Sequence, residues 1–339
     1  MPQDANDAYR QTVADETNLP PAPSRVGTVR RDPNGKIEAI DPTSEKGAGP
    51  RLCDIGTICV GTGQAYPSLS AALAVARDGD VIEIAGGTYR ESVKITPKNV
   101  VVRGIGGLPH FDCAGLKLAD DKACLLLAAD GVTIDNLEIS GAELPDSLGA
   151  NGACIRNEPN LSFTLHRIVC HGSQDGILTS GGSVVIEDSE FYDNGWTGQT
   201  HNVYFSGDCP SVTVRRSIFR DARLGHEFKS RCRETTVSDS TIRSTKGSRN
   251  LDISDGGKTV VYRTTLVKIP GTVNHDIVGF APETCRYPED MLLKDVRIVN
   301  SEPNAIIRNY DKCTGHAIIL EHVEVEGTAP LERGYILKR

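Results

Sequence analysis

Two series of short alternating segments, interleaved in constant order, govern what this chain can become. One series reads NVVVRGIGG, GVTIDNLEISG, LSFTLHRIVCHG, SVVIEDSEFYDNG, SVTVRRSIFRDA, ETTVSDSTIRS, KTVVYRTTLVK, MLLKDVRIVNS and AIILEHVEVEG. The other reads ACLLLAADG, ACIRNE, DGILTSG, HNVYFSGD, GHEFKSRC, RNLDISDGG, NHDIVGF, NAIIRNY and GYILKR. Each series recurs every ~22 to 32 residues, within the range of solenoid repeats. Apolar residues at every second position describe strands with one buried face. Two strands and their turns per repeat, with no helix between them, predict a parallel β-helix in which each coil stacks on the next. Antiparallel pairing into a β-sandwich competes, but interleaved series keeping one order over some nine coils do not suit Greek-key connections.

The stretch LSAALAVARDGD, before the first strong strand VIEIAGGTY, has helical spacing, a capping serine at Ser68 or Ser70, and Gly79 as its stop. A helix over 68–77 would cover the apolar end of the first coil. Residues 1–50, rich in Pro and charge and without a sustained period, read as a tail or linker, leaving 51–339 as the solenoid domain.

Ten cysteines occur singly, a pattern that favours disulfides and an oxidising, secreted or periplasmic setting over a zinc site. Their positions suggest Cys53 with Cys59, Cys113 with Cys124, Cys154 with Cys170, Cys209 with Cys232, and Cys285 with Cys313. No secretion signal precedes them, so the chain is expected to be a mature form. A net charge of −8 argues against general nucleic-acid binding, and no apolar run reaches the length of a membrane span. The expected state is a monomer.

Polar residues concentrate between His201 and Asp276. Aligning the repeats puts Val203, Phe228, Leu251 and Ile277 in one inward column and Phe205, Ser230, Ile253 and Gly279 in another. The opposite parity predicts an outward row of Tyr204, Lys229 and Asp252, and beside it a row of Asn202, Glu227, Asn250 and Asp276. His201, His226 and His275 stack where each segment begins. Flanking coils carry Gly176, Leu178, Ala305 and Ile307 at the equivalent places, so the polar face stands alone. Trp196, on the turn before it, is placed either to stack on a sugar ring or to anchor its loop.

The stretch YPSLSAALAVARDGDVIEIAGGTYRE is similar to the cap helix and first coil of right-handed parallel β-helix proteins, among them polysaccharide lyases, pectin-active enzymes and alginate epimerases. HNVYFSGD, GHEFKSRC and NLDISDGG resemble a bacterial β-helix family described by its repeat. The resemblance spans roughly residues 55–339. It implies a secreted enzyme acting on a polysaccharide. In β-helix alginate lyases a Lys-Ser pair supplies the base and an arginine one coil further acts with it. Lys229-Ser230 matches the pair, while Ser254 stands at the arginine's place and the guanidinium on that face is Arg231.

Three chemistries suit these side chains. In β-elimination on a uronate, Lys229 is the base, its neutral form favoured by positive charge on Arg231 and His226. Tyr204 is the acid or shares the base role, and Arg231 grips the carboxylate. Substrate contacts then fall to His201, Asn202, Glu227, Asn250, Asp252, Asp255, His275 and Trp196. In glycoside hydrolysis, two of Glu227, Asp252, Asp255 and Asp276 flank the bond. Elimination of this kind requires no cofactor, but Glu227, Asp252 and Asp276 are also oxygen ligands suited to calcium. Apart from these chemistries, a non-catalytic carbohydrate-binding or adhesion solenoid stays open, and a solvated ladder of charges needs no ligand at all.

Overall fold

The computed structural model describes Val29–Arg31, Ile37–Ala39, Cys53, Asp54 and Gly56–Arg339. The expected tail lies outside the described residues except for those first two strands, which pair antiparallel. From Ile58 onward the chain winds as parallel coils.

One wall holds ten parallel strands in sequence order: Val93–Ile95, Ala123–Leu127, Ala153–Asn157, Asp175–Leu178, Val203–Phe205, Phe228–Ser230, Leu251–Ile253, Asp276–Phe280, Ile306–Asn309 and Leu331–Arg333. Eight of them are the second-series segments from ACLLLAADG to NAIIRNY, whereas the expected ninth, GYILKR, forms Ile336–Lys338 and pairs with Ile318–Glu321 on another wall. From SVVIEDSEFYDNG on, each segment of the first series supplies two strands rather than one, and the single strands Val132–Ser140 and Phe163–His171 pair across both places, so a regular coil has three walls where the sequence reading had two. SVVIEDSEFYDNG, for example, forms Val184–Glu187 and Glu190–Tyr192.

The break is a corner made by one residue in the left-handed conformation: Asn136, Arg167, Asp188, Arg216, Asp239, Arg263, Asp295 and His322 all have φ between 45° and 57°. Asn, Asp and His tolerate that region, whereas Arg is held there by the strands on either side. Alternation slips at the corner: Val184 and Ile186 point inward before it, Ser189 and Phe191 after it. The inward hydroxyl then satisfies the corner carbonyl, Ser189 donating to Glu187 O at 2.7 Å, Ser217 to Arg215 O at 2.8 Å, and Ser240 to Ser238 O at 2.7 Å.

Inside, like residues stack from coil to coil. Phe205 and Phe228 meet at 5.3 Å between ring centroids, and Phe219 meets Phe228 edge-on at 5.4 Å. The helix covers Leu69–Leu73, shorter than its periodicity predicts, with Ser68 Oγ accepting from Ala71 N. Leu69 and Ala72 bury against the first coil, and Glu91 accepts the Leu69 and Ser70 amides. All five expected disulfides are present, joining Cys53–Cys59, Cys113–Cys124, Cys154–Cys170, Cys209–Cys232 and Cys285–Cys313. Among the described residues no helix is long and apolar enough to cross a membrane.

Candidate active site

Pleating and register place Tyr204, Lys229 and Asp252 side by side on the outer face of the ten-stranded wall, with Val203, Phe228 and Leu251 fully buried behind them. The next member of the row is Gly279, then Arg308. Here the alignment by sequence slips by one residue. A bulge between Asp276 and Val278 puts Val278, not Ile277, opposite Leu251, and both side chains are buried. The flank beyond the bulge is therefore not bland. It presents Arg308 and Tyr310 rather than Ala305 and Ile307.

The second predicted row does not exist as an outer surface. Asn202, Glu227 and Asn250 are 0% exposed, and each sits one residue before its strand, where the pleat does not set the side chain's direction. Asn202 donates to Arg220 O at 2.9 Å and to Glu227 Oε2 at 2.6 Å. Asn250 donates to Ile242 O and Val267 O, and Glu227 accepts the Ala222 amide. These side chains tie one wall to the next. Burial pushes the Glu227 carboxyl up to about 8, against the pull of the Ala222 amide. Substrate contacts by all three, and a catalytic or metal role for Glu227, are thereby removed.

His201 and His226 stack as expected, ring centroids 4.8 Å apart, but His275 does not join them. The bulge displaces it to a half-exposed place beside Glu302. The stack is Asp175, His201, His226, Arg249, and each side chain accepts the amide of the next: His201 N to Asp175 Oδ1 at 2.7 Å, His226 N to His201 Nδ1 at 3.0 Å, Arg249 N to His226 Nδ1 at 3.2 Å. A nitrogen that accepts a hydrogen bond carries no proton, so both imidazoles are neutral with the proton on Nε2. Burial also holds both well below the usual histidine range. His226 thus adds no positive charge beside Lys229, and its Nε2 faces Asp252 at 3.4 Å. His201, 1% exposed, supports Tyr204 edge-on at 5.3 Å instead of meeting a ligand.

What remains on the face is a network of alternating charge. Arg231 donates from Nε to Tyr204 Oη at 2.7 Å, from Nη1 to Asp255 at 2.5 Å, and from Nη2 to Glu283. Lys229 Nζ donates to the other Glu283 oxygen at 2.8 Å and lies 5.1 Å from the centre of the Tyr204 ring. Burial opposes the charge on Arg231, but Glu283, Tyr204 and Asp255 outweigh it and hold the guanidinium above its ordinary value. Arg249 bridges Asp252 at 2.6 Å, Asp276 at 3.1 Å and Tyr310 at 2.6 Å, and Arg308 approaches Asp276 at 3.3 Å. These are covered residues, not a solvated ladder: Asp252 is 0% exposed and Lys229 is 8% exposed.

Sequence reasoning missed Arg249, Glu283, Arg308 and Tyr310. Arg249 was findable, since RNLDI aligned on HNVYF and HEFKS puts it in the histidine column. Glu283 had no repeat signal. It arrives on a loop fixed by the Glu283 and Thr284 amides to Ser254 O and by Cys285–Cys313.

The calcium trio does not converge. Glu227 faces the interior, and the Arg249 guanidinium stands between Asp252 and Asp276, where a cation would have to sit. Trp196 is half-buried with the Arg223 guanidinium 4.6 Å from its ring centre, so the loop-anchor reading is the one its surroundings fit.

A model described as the right handed beta helix region matches residues 100–267. Among solved structures, the alginate lyase from Paenibacillus sp. str. FPU-7 superposes with a TM-score of 0.55 at 14% identity, covering 83% of this chain and 99% of that one. The polygalacturonase from Erwinia carotovora ssp. carotovora gives 0.51 at 13%, covering 87% and 99%. ORF18 of Geobacillus virus E2 gives 0.50 at 12%, covering 79% and 57%. No curated protein matches the sequence. At these identities the likeness is one of fold, and the chain is a right-handed parallel β-helix with an N-terminal cap helix.

Proposed function

We propose that the protein is a secreted enzyme acting on an acidic polysaccharide, and that it cleaves a uronate-containing chain by β-elimination. One observation carries this reading: Lys229 Nζ and Arg231 Nη2 hold the two oxygens of a single carboxylate, that of Glu283, beside the Tyr204 hydroxyl. A uronate carboxylate that displaces Glu283 takes over its contact with Arg231 Nη2. Its neighbouring carbon then faces Lys229 and Tyr204. Lys229, as the free amine, accepts the proton from that carbon, the electron pair forms the new double bond, and the bond to the leaving oxygen breaks. Tyr204, whose oxygen already accepts from Arg231, has its own proton to give to the leaving oxygen. Arg231 balances the charge that builds on the carboxylate in between.

Hydrolysis is less well served. Asp252, Asp255 and Asp276 are each tied to a guanidinium, and Glu227, the acid pushed up to about 8, is sealed inside. Fold likeness supports a sugar polymer as ligand, since an alginate lyase and a polygalacturonase are built the same way. The five disulfides fit an oxidising compartment.

Incubating the protein with a panel of acidic glycans tests the reading. Growth of ultraviolet absorbance from an unsaturated sugar supports it. New reducing ends without absorbance, or retention without product, would replace it by hydrolysis or by binding alone.

A further inference from the structure

Two coils before Tyr204, the same outer row contains an arginine that the chemistry above does not use. Arg156 pairs in register with Leu178, and Leu178 with Tyr204. Two strand spacings separate Arg156 from Tyr204, about 10 Å along the axis. Lys94, Lys229 and Arg308 in this row each hold a carboxylate, of Asp120, Glu283 and Asp276. Arg156 holds none among the described residues, and its Nε is buried without a hydrogen-bond partner. Its neighbours in the row are Leu126 and Leu178. The acids that reach it through space are already engaged: Asp175 accepts the His201 amide and is pushed towards its neutral form by burial, and Glu158 is held by Lys122 at 2.8 Å. A partly buried guanidinium with no counter-charge is destabilising by itself.

Between Arg156 and Tyr204 the row carries Leu178, which packs with Tyr204 over the buried Ala123 and Ala153. A pyranose can lay its C–H face on the accessible edge of Leu178 and Tyr204, with its charged group reaching a cation at either end.

We propose that Arg156 is a second anion subsite of the groove, binding the carboxylate of another uronate of the same polymer while Arg231 holds the one at the reacting sugar. The inference rests on the uronate reading of the site. It makes the groove run along the solenoid axis from the reacting coils towards the N-terminal end, and it makes the protein select runs of charged sugars over isolated ones.

The test uses the whole chain and isothermal titration with oligomers of mannuronate, guluronate and galacturonate, each beside its carboxyl-reduced counterpart. Arg156→Gln should weaken binding of the carboxylated oligomer that the wild type prefers by about tenfold or more, the worth of a charge-assisted hydrogen bond. It should leave binding of the reduced oligomer unchanged, and it should melt no lower than the wild type, because the charge it removes has no partner to lose. Equal binding by Arg156→Gln, equal losses on charged and reduced oligomers, or a lowered melting temperature would each overturn the subsite. If affinity depends on Arg156 but the wild type yields no unsaturated product, the subsite stands and β-elimination falls. Unsaturated product formed with the same KM by both proteins sinks the subsite alone. A wild type that binds no uronate oligomer overturns both.

Discussion

Glu227→Gln isolates the interior acid from the chemistry of the face. In the folded protein the carboxyl is fully buried and titrates at about 8, against 4.5 for a free glutamate, with burial as the main cause. A raised carboxyl pKa means that the folded state holds a proton the unfolded chain has lost. Stability is therefore greatest below about pH 4.5 and falls as pH rises towards 8. Three and a half units at about 1.4 kcal/mol each amount to about 5 kcal/mol lost across that window. Lys268, driven by burial down to about 8 against the pull of Glu227, contributes the opposite slope between 8 and its ordinary 10.5. Glutamine has the shape of the protonated acid and can keep the bonds from Ala222 N and Asn202 Nδ2. Urea unfolding of both proteins with disulfides intact should find them within about 1 kcal/mol at pH 5 and the variant ahead by about 5 kcal/mol at pH 9. Parallel stability curves from pH 5 to 9 would refute the interior placement. Loss of turnover in a stable Glu227→Gln protein would return the residue to the mechanism.

Three other outcomes follow from the face itself. Lys229→Ala should lower turnover about a hundredfold or more in the absorbance assay, and Lys229→Arg should not restore it, because a guanidinium stays protonated; full turnover in the alanine variant would remove Lys229 from the mechanism. Glu283→Gln should lower KM by about two- to fivefold with kcat little changed, since a half-exposed ion pair no longer competes with the substrate carboxylate; an unchanged KM in initial-rate measurements would mean that Glu283 does not occupy that place. Arg249→Ala leaves Asp252 and Asp276 covered and without their shared partner, and should cost about 3–5 kcal/mol in denaturant unfolding, with Arg249→Lys recovering part of it.

The columns of the solenoid were legible because a period of two, repeated at one strand per coil, leaves little freedom of register. Tyr204, Lys229 and Asp252 stand where the alternation put them, and each cysteine found its expected partner on the same or a neighbouring coil. Alternation failed where the backbone is not a strand. Asn202, Glu227 and Asn250 sit one residue before pairing begins, where the pleat no longer decides their direction. NHDIVGF was ambiguous because Ile277 and Val278 are both apolar and both buried, so a one-residue bulge left no trace in the pattern. The third wall was hidden in a phase slip, readable in the odd spacing between Ile186 and Phe191. Glu283 depends on where a loop folds back, which no local period encodes.

The ladder from Asp175 through His201 and His226 to Arg249 has a direction. In each step the acceptor belongs to the earlier coil and the amide to the later one. The amide at the head of each later coil is thus satisfied only where the side chain of the coil before it is in register, so each coil is keyed to its predecessor. The register of Phe228 and Lys229 is tied to the seat of His226 on His201, and that of Asp252 to the seat of Arg249 on His226. The reacting face is indexed row by row, each row to the one before it.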